Sequence, residues 1–433
     1  MVFFIDDMAK LTIFAYKYIK MRRFFCFLAT LMVILGVKAQ DTLTVMQYNL
    51  LQYGNFNSSY ADCYETNNNT QRKDECIRTL MDYVKPDILT VCEFGKTQQL
   101  QNDFLRHNLN VNGVDYWKTD NIINYASSSI INHIFYDSRK LVLKSHVALR
   151  TRPRDTDIYE LYLKTTSLQS GDTIKLVCIV AHPKAGMSYA TDRTATMQTV
   201  MAYINQHYAN DNILIMGDFN MYGANEGGYQ TLTRTYSNSD ALFVDPLANV
   251  GGVGEWNGNN RFAPFHTQST RRYSNECFSS GGMDDRFDMI LMSDEIYMGF
   301  NNLRYVGGSY YAVGNDGKHF NQSIDQNGNN SVPADVLEAL FDASDHLPVT
   351  MKMRVYGNWG VEEIAQDKLK VYPNPTTGVL HVDFPQPSIY RISNVMGQIL
   401  MTGQVSQTID VSALPAGIYF IQVDGMSKKF VKK

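Results

Sequence analysis

Six short polar motifs each follow an apolar, strand-like run, and their residue types suit metal-dependent hydrolysis. They are YNL at 48–50, VCEF at 91–94, AHP at 181–183, GDFN at 217–220, RFD at 286–288 and SDHLP at 344–348. Carboxylate and amide oxygens are ligands that Mg²⁺ prefers, and imidazoles move protons near neutral pH. The motifs therefore predict an enzyme that hydrolyses phosphodiesters with a divalent metal.

Asn49 and Glu93 follow two of these apolar runs and are expected to meet at one rim of a sheet structure. Taken alone, Asn49 is most simply a turn residue and Glu93 a solvated strand end. The apolar runs before them place both residues where loops converge, which favours a role in a site.

Asp218 and Asn220 alternate within the motif GDFN. If the backbone stays extended there, both side chains point the same way. The carboxylate could then orient or activate the attacking water, while the amide donates to the pentacovalent phosphate. The alternative is a turn closed by an Asx hydrogen bond.

Asp288 lies in the apolar run FDMIL at 287–291, where an unpaired carboxylate would be costly. Pairing with His346 removes that cost and makes the histidine more basic, as a general base requires. The alternative is an aspartate that is held by backbone amides.

Basic side chains near the motifs are predicted to hold substrate phosphate, namely Lys184, Arg193 and Arg271. For each one singly, the alternative is an ordinary solvated surface residue. The long polar segment 307–333 is predicted to form a specificity loop near the site.

The six motifs, in this order over roughly residues 41–355, resemble the endonuclease/exonuclease/phosphatase superfamily, which includes pancreatic-type deoxyribonucleases and neutral sphingomyelinases. The resemblance implies a two-layered β-sandwich flanked by helices, with Mg²⁺ as cofactor and Mn²⁺ or Ca²⁺ as alternatives. It implies that Glu93 binds the metal directly, Asn49 by contact or through water, and Asp345 as a further ligand.

The same resemblance implies that His182 donates to phosphate or protonates the leaving oxygen. Deoxyribonuclease-like members support this histidine with a glutamate, whereas the corresponding strand here offers only Ser128, Ser129, Asn132 and His133. Phosphate binding is therefore the predicted role of His182.

The elements predict an α+β fold. Helices are expected over 71–84 and 189–208, where apolar residues recur at helical spacing. The runs 130–136 and 141–149 are expected to form a strand pair that bends at 137–138. Residues 40–356 are predicted to be the catalytic domain, and 357–366 a polar linker.

The N-terminus is predicted to be a secretory signal over 1–39, with Met21 as the natural start. Arg22 and Arg23 precede an apolar stretch over 24–37, and small residues suited to cleavage follow. The apolar stretch is about 14 residues, shorter than the ~20 that a membrane-spanning helix needs, so no span is expected.

Short strand-like runs with Gly and Pro turns over 367–433 predict a small C-terminal all-β sandwich. This segment resembles the C-terminal sorting domain of proteins exported by the type IX secretion system of Bacteroidota. The resemblance implies export through the periplasm by that machinery, and a product that is secreted or attached to the cell surface.

The charge distribution argues against broad, non-specific binding of nucleic acid. Beyond residue 39 the chain has 33 basic and 41 acidic residues, and the excess of acid, about 11 charges, lies in 40–366. Such binding needs clustered Lys and Arg. Part of the excess is the predicted metal site itself, so the acidity only partly disfavours a nucleic-acid substrate.

Five cysteines remain beyond the predicted signal, and an exported protein can form disulfides. Cys63 and Cys76 flank a polar loop, and a bridge between them is plausible. Cys92 and Cys178 lie in apolar strands and are expected to be buried thiols.

The sequence thus predicts a secreted phosphodiester hydrolase, foremost an extracellular nuclease acting on DNA or RNA. The alternatives are a sphingomyelinase-like phospholipase C, a phosphatase of small phosphoesters, and a binding module without catalysis. A monomer is expected, because no heptad run indicates helical association.

Overall fold

A computed structural model describes residues 42–56, 62–165, 173–233, 241–247, 254–326, 328–356, 369–383, 389–394, 398–404, 408–423 and 426–433. The predicted signal and the predicted linker lie outside these residues. The chain divides into two compact units, 1–359 and 360–433. Among the helices in the described ranges, none combines the length and apolar character needed to span a membrane.

The described residues of the first unit form two mixed β-sheets. The first sheet has the order β11-β13-β1-β2-β4-β3, and β12 also pairs with β13. Its strands are β1 Thr42–Tyr53, β2 Ile88–Gly95, β3 Trp117–Lys118, β4 Ile130–Asp137, β11 Leu303–Tyr305, β12 Tyr311–Ala312 and β13 Val349–Val355.

The second sheet has the order β5-β6-β7-β8-β10-β9. Its strands are β5 Leu141–Leu149, β6 Thr156–Leu163, β7 Lys175–Val180, β8 Ile213–Asp218, β9 Phe243–Val244 and β10 Asp288–Ser293. The α-helices in the described part of the unit are α1 Thr70–Val84, α2 Gln98–Phe104, α3 Ala190–His207, α4 Gly227–Thr233, α5 Asp294–Met298 and α6 Ala334–Ala343.

Alternating side chains on the strands build two apolar layers. On β8, Leu214 and Met216 belong to a core cluster that includes residues of both sheets. Ile213 and Ile215 belong to a second cluster, which contains the inward face of α3. Because successive side chains of a strand point to opposite faces, the second sheet is buried on both sides.

The strand directions bring the predicted functional motifs to one edge of the two sheets. β1 and β2 run parallel, and so do β7 and β8, so each pair ends at the same edge. β13 is antiparallel to β1 and β10 is antiparallel to β8, so these strands begin where the others end. All six motifs therefore lie at this edge.

Where the structure describes it, the second unit forms two small antiparallel sheets with the orders β14-β15-β18 and β17-β16-β19-β20. The strands are β14 Lys370–Tyr372, β15 Val379–Asp383, β16 Ile389–Asn394, β17 Ile399–Gln404, β18 Thr408–Asp410, β19 Gly417–Val423 and β20 Met426–Lys432. Leu380, Ile409, Ile392, Ile421 and Phe430 from both sheets share one core. The predicted fold class, an α+β two-layered sandwich with helices and a small C-terminal all-β sandwich, is confirmed.

The predicted strand pair over 130–149 is wrong in its pairing. Both strands form, but β4 pairs with β2 in the first sheet and β5 pairs with β6 in the second. The connection at 138–140 takes the chain from one layer into the other. Asp137 stabilises this turn by accepting hydrogen bonds from the Arg139 backbone N–H at 2.9 Å and from its guanidinium.

The expected Cys63–Cys76 bridge is also wrong, because Cys63 is bonded to Cys277. Cys76 is a buried free thiol that faces the core from α1. The disulfide packs with Leu51 and Phe278 in a small apolar cluster. Cys92 and Cys178 are buried free thiols, as predicted.

Removal of the disulfide is expected to lower the free energy of unfolding by about 2–4 kcal/mol, because the bridge spans 214 residues of chain. The measurement is denaturant unfolding of the Cys63→Ser, Cys277→Ser double variant. The single variant Cys178→Ser, which alters a buried thiol and no bridge, is the comparison. A double variant with an unchanged unfolding midpoint would contradict this expectation.

Candidate active site

The side chains of the six motifs converge at the shared edge of the sheets. Asn49 lies opposite Cys92 in the β1–β2 register, so Asn49 and Glu93 are neighbours. Asp218 and Asp288 lie directly opposite each other on β8 and β10. All the predicted catalytic and metal-binding side chains are buried except that of Glu93, which is half-buried.

The Asn49 amide lies at the centre of the site. Its Nδ2 donates to Glu93 Oε1 at 3.2 Å and to Asp218 Oδ2 at 3.0 Å. Its Oδ1 accepts from the Leu51 backbone N–H at 2.9 Å, which fixes the orientation of the amide. Asn49 therefore orients two carboxylates in this structure, and a metal contact through its oxygen stays a prediction.

Glu93 is held from its other side by Gln52, a residue that the motifs did not indicate. The Gln52 backbone N–H and its side-chain Nε2 both donate to Glu93 Oε2, at 3.1 and 3.2 Å. Both residues have left-handed backbone, with φ of 53° for Gln52 and 55° for Glu93. Non-glycine residues rarely adopt this conformation, and it is often found at functional sites.

His346 and Asp288 form the predicted pair. The distance from His346 Nδ1 to Asp288 Oδ2 is 2.7 Å, and both residues are buried. Burial acts to lower the pKa of His346. The negative charges of Asp288, Asp345 and Asp218 outweigh burial and raise this pKa well above its usual range.

Among the described residues, only one of the two carboxylate oxygens of Asp345 has hydrogen-bond donors. Its Oδ2 accepts from the Ser279 backbone N–H at 3.0 Å and from Gln268 Nε2 at 3.1 Å. Its Oδ1 is buried and has no hydrogen-bond partner among the described residues. A buried carboxylate oxygen without a donor is costly, and a cation would satisfy it.

His182 lies beside Asp218 because the strands β7 and β8 approach closely at their ends. His182 Nε2 is 3.4 Å from Asp218 Oδ2. Between the strands, Gly217 has φ of 151°, and a Cβ atom there would lie 1.8 Å from the Ala181 carbonyl oxygen. Only glycine permits this approach.

The pKa values of Asp218 and His182 are both shifted from their ordinary values. Burial raises the pKa of Asp218 to about 7, and the charges of Asp288 and Glu93 add to this effect. Burial lowers the pKa of His182 well below its usual range, and the nearby Arg154 and His346 charges contribute. His182 is therefore a neutral imidazole near pH 7.

His182 Nδ1 is buried and has no hydrogen-bond partner in the part of the chain that the structure describes. This agrees with the absence of a glutamate from the corresponding strand, over about 128–135. Phosphate binding remains the predicted role of His182.

The expected extended backbone at Asp218 and Asn220 is wrong. β8 ends at Asp218, Asn220 has φ of 51°, and its backbone N–H donates to Asp218 Oδ1 at 3.0 Å. This is the Asx turn that was the alternative. The turn still keeps Asn220 in the site, where its Nδ2 lies 3.4 Å from the Pro183 carbonyl oxygen.

Two of the predicted phosphate-binding residues have structural contacts instead. Arg193 is fully buried, with its Nε 2.5 Å from Glu226 Oε1. Its Nη1 donates to two backbone carbonyls. Its predicted role is therefore corrected, because every side of the guanidinium is occupied within the fold.

Arg271 is also engaged within the fold. Its guanidinium lies 3.7 Å from the centre of the Phe341 ring and donates to the Phe341 carbonyl oxygen at 3.0 Å. Lys184 is half-buried, and its Nζ lies 3.5 Å from the centre of the Tyr189 ring. Of the three, Lys184 remains the candidate for phosphate contact.

The donor set suits a divalent cation. Glu93, His182 and Asp218 offer ligand atoms that lie within 4.8 Å of one another. Of the predicted ligands Asn49, Glu93 and Asp345, only Glu93 belongs to this group. Carboxylates are hard oxygen donors of the kind that Mg²⁺, Mn²⁺ and Ca²⁺ accept. The buried free oxygen of Asp345 adds a further donor.

Lys73 stabilises the end of β1 beside the site, a role that the sequence motifs did not predict. It is buried, and its Nζ donates to the carbonyl oxygens of Leu50 at 2.7 Å and Leu51 at 2.6 Å. These bonds hold the end of β1, where Leu51 and Gln52 turn into left-handed backbone. In the sequence Lys73 is one polar residue in an amphipathic helix, so no local pattern indicates this role.

Where the structure describes it, the segment 307–333 packs against other residues of the first unit. Asn315 Nδ2 donates to the carbonyl oxygens of Ala263 and His266, both at 2.8 Å. The Ile324 backbone N–H donates to the Thr270 carbonyl oxygen at 3.0 Å. The segment thus contacts the residues 263–270, which adjoin the site, and its role in specificity stays a prediction.

The C-terminal residues match a known family. Residues 370–433 match the family model described as a secretion system C-terminal sorting domain. The match confirms the predicted sorting domain, and the protein is secreted or attached to the cell surface. Among curated proteins, none matches the sequence significantly.

Solved structures of similar shape have low sequence identity to this chain. Zebrafish (D. rerio) TDP2, humanized by 14 mutations, is 12% identical, with a TM-score of 0.46 over 72% of this chain and 99% of that one. The human Nocturnin catalytic domain with bound sulfate is 14% identical, with a TM-score of 0.44 over 72% and 94%. An endonuclease/exonuclease/phosphatase family protein from Bacteroides thetaiotaomicron is 13% identical, with a TM-score of 0.42 over 72% and 95%.

Lys73 provides a test that depends on pH. Burial lowers its pKa to about 7, although the charges of Asp345 and Glu93 oppose this, whereas the ordinary value is 10.5. Between these values the unfolded chain binds one proton more than the folded one. The free energy of unfolding of the wild type should therefore rise with pH, relative to Lys73→Met, by up to about 1.4 kcal/mol per pH unit.

The measurement is urea unfolding of both proteins in EDTA between pH 7 and pH 10. Lys96→Met, a change at an exposed lysine after β2, is the control and should follow the wild type. Parallel profiles for the wild type and Lys73→Met would show that Lys73 keeps its proton in the folded protein.

Proposed function

We propose that the first unit is a divalent-metal-dependent phosphodiester hydrolase that acts outside the cell, with nucleic acid as its foremost substrate. The observation that carries this proposal is the carboxylate cluster of Glu93, Asp218, Asp288 and Asp345, which lies with two histidines and amide donors at one edge of the sheets. Three buried carboxylates beside a half-buried one are difficult to maintain in a site that binds no cation.

The ligands proposed for the cation are Glu93, Asp218 and Asp345, and Asn49 orients the first two. We propose Mg²⁺, with Mn²⁺ or Ca²⁺ as alternatives. When bound, such an ion supplies positive charge that stabilises the phosphoryl oxygens as negative charge develops on them.

His346 is the proposed general base. Asp288 accepts a hydrogen bond from Nδ1, which leaves Nε2 directed into the site to take a proton from water. Asp288 also stabilises the imidazolium that this transfer produces. The opposing carboxylate Asp218, whose pKa burial raises to about 7, can orient the same water.

Asn220, His182 and Lys184 are the proposed phosphate contacts. Among the described residues, the Asn220 amide nitrogen has only a long, 3.4 Å contact with the Pro183 carbonyl oxygen, so it can turn to donate to a phosphoryl oxygen. A neutral His182 can donate from one ring nitrogen. Lys184 follows His182 by two residues and adds positive charge at the same strand exit.

Export supports a substrate that is found outside the cell, and nucleic acid is one such phosphodiester. The acidic balance of the first unit argues for local contacts with few phosphates, not for a wide basic groove. The alternatives are a sphingomyelinase-like phospholipase C, a phosphatase of small phosphoesters and a binding module without catalysis.

His346→Ala is expected to lower turnover by about 10²–10⁴-fold, because it removes the general base. The full chain is incubated with plasmid DNA, RNA, sphingomyelin and p-nitrophenyl phosphate in Mg²⁺, with and without EDTA. The control is His107→Ala, which changes an exposed histidine after α2. It should retain wild-type turnover.

Each outcome assigns a substrate class. Cleavage of DNA or RNA that EDTA abolishes supports the nuclease. Release of choline phosphate supports the phospholipase, and release of p-nitrophenol alone supports the small-phosphoester phosphatase. A folded protein that binds Mn²⁺ but hydrolyses none of the four would contradict the hydrolase. Full turnover in His346→Ala would exclude this histidine as the base.

A further inference from the structure

A groove on the first unit lies beside α5 and β11, apart from the carboxylate cluster. Its volume is about 560 Å³, and its lining includes Leu247, Phe265, Tyr297, Met298 and Arg304. None of these residues belongs to the six motifs. β11, which contains Arg304, is an end strand of the first sheet, and β9, which precedes Leu247, is an end strand of the second. The groove therefore lies where the open edges of the two sheets meet.

A second groove, of about 350 Å³, continues the first, because both are lined by Arg304, Tyr305 and Gly307. It adds Arg354 and Tyr356 to the lining. The two grooves together are called the side groove. Arg304 and Arg354 lie directly opposite each other on β11 and β13. Because opposite residues of antiparallel strands point to the same face, the two guanidinium groups lie side by side.

The charge at this end of the side groove suits an anion. In the part of the chain that the structure describes, Arg304 forms no ion pair with a carboxylate. Hydrogen bonds from the Arg354 and Arg304 side chains to the Tyr356 hydroxyl lower the pKa of this tyrosine. A positive patch thus exists in a unit whose overall charge is negative. Guanidinium groups bind phosphate with two parallel N–H donors each.

Aromatic rings line the side groove next to the arginines. Tyr297 is 41% exposed, and Phe265 and Tyr305 are half-buried, so each ring has a face or edge open to a ligand. Gly307 and Gly308 follow β11, and no atom lies within 4 Å of the Cβ position of either, which leaves the wall open. Rings beside guanidinium groups bind single-stranded nucleic acid, because bases stack on the rings while phosphates contact the arginines.

The side groove is distant from the catalytic edge of the sheets. β13, Val349–Val355, begins three residues after His346, and Arg354 lies near its other end. At about 3.3 Å per residue, roughly 20 Å of strand separates Arg354 from that edge. A stacked nucleic-acid strand advances about 3.4 Å per nucleotide, so about six nucleotides span the distance. Only a longer substrate reaches both places.

We propose that the side groove is a second binding site for single-stranded nucleic acid, in which Arg304 and Arg354 contact phosphate and Tyr297 stacks on a base. This inference rests on the proposed function and specifies its substrate as a polymer that is held at two places. Two arginines make few phosphate contacts, which agrees with the acidic balance of the unit. The side groove supplies affinity and takes no part in cleavage.

The first test measures binding by the full chain in EDTA, where no strand is cleaved. Fluorescence anisotropy of a labelled oligothymidylate of about 20 nucleotides is followed between about 50 and 200 mM NaCl. Arg304→Ala should weaken binding about tenfold and reduce the slope of log K against log salt by about 0.7, the value for one phosphate contact. Tyr297→Ser should weaken binding about tenfold at an unchanged slope, because stacking releases no counterions.

A matched pair of variants controls for net charge. Arg304→Glu and Lys144→Glu each replace a positive charge by a negative one at an exposed position. Lys144 lies on β5, the end strand at the other edge of the second sheet. Arg304→Glu should weaken binding by about 100-fold, whereas Lys144→Glu should bind as the wild type does. Equal losses in both variants would overturn the site, because net charge alone would then explain them.

The second test measures cleavage in Mg²⁺. Arg304→Ala should raise KM for a long single strand by about tenfold at an unchanged kcat, because the lost contact is the same in the ground state and the transition state. KM for a dinucleotide should not change, since a dinucleotide is too short to reach the side groove. A lower kcat for the dinucleotide in Arg304→Ala would contradict a role in binding alone.

The two proposals fail in different ways. Wild-type anisotropy in both Arg304→Ala and Tyr297→Ser would overturn the side groove, whatever the enzyme hydrolyses. The predicted losses of binding in a protein that cleaves no phosphodiester would support the side groove and contradict the hydrolase. Sedimentation with phosphatidylglycerol vesicles that depends on Arg304, without binding of the oligonucleotide, would overturn the nucleic-acid site and assign the groove to a lipid surface.

Discussion

The mutual repulsion of four closely placed carboxylates, three of them buried, is the constraint on which the site depends. At the sheet edge Asp218, Asp288 and Asp345 are buried and Glu93 is half-buried, so water does little to screen their charges. Ionised groups of like charge in such a place are stable only if donors or cations surround them. The neighbouring side chains and backbone amides meet part of this requirement.

Each carboxylate has its own donors. Asn49 lies between Glu93 and Asp218, and the histidine ring pairs with Asp288. Asp345 accepts from a backbone amide and a glutamine amide. Among the described residues, Oδ1 of Asp345 and Oδ1 of Asp288 have no hydrogen-bond partner. These oxygens and the close approach of Glu93 to Asp218 leave negative charge for a cation to balance. The charges of Asp288, Asp345 and Asp218 also raise the pKa of His346 and so make it a stronger base. The carboxylates that the fold must accommodate are therefore the ones that tune this histidine.

Sequence patterns predicted the parts of this site that depend on strands. A carboxylate at the end of an apolar run, such as Glu93 or Asp288, is visible because the run fixes its position in the sheet. Residues that act through tertiary contacts have no such signal. Gln268 lies in a loop without an apolar run, and Lys73 is one polar residue of a helix.

The errors have the same cause. Arg193 follows a strand exit in the sequence, but Glu226, 33 residues later, captures its guanidinium. The partner of Cys63 is 214 residues away in Cys277, whereas the nearer Cys76 faces the core. Local spacing cannot distinguish such pairs before the layers have packed. At Asn220 the sequence allowed both an extended backbone and an Asx turn. The structure has the turn, with Asn220 in the left-handed region.

Gly217 shows that a residue without a functional group can set the geometry of the chemistry. The missing Cβ lets β8 lie against the Ala181 carbonyl, and this contact places His182 beside Asp218. Any side chain there would separate two groups of the site without touching a substrate. In a survey of random variants, position 217 would group with the acidic and imidazole residues by its loss of activity, and a reader of that survey alone would assign it a reactive role that it does not have.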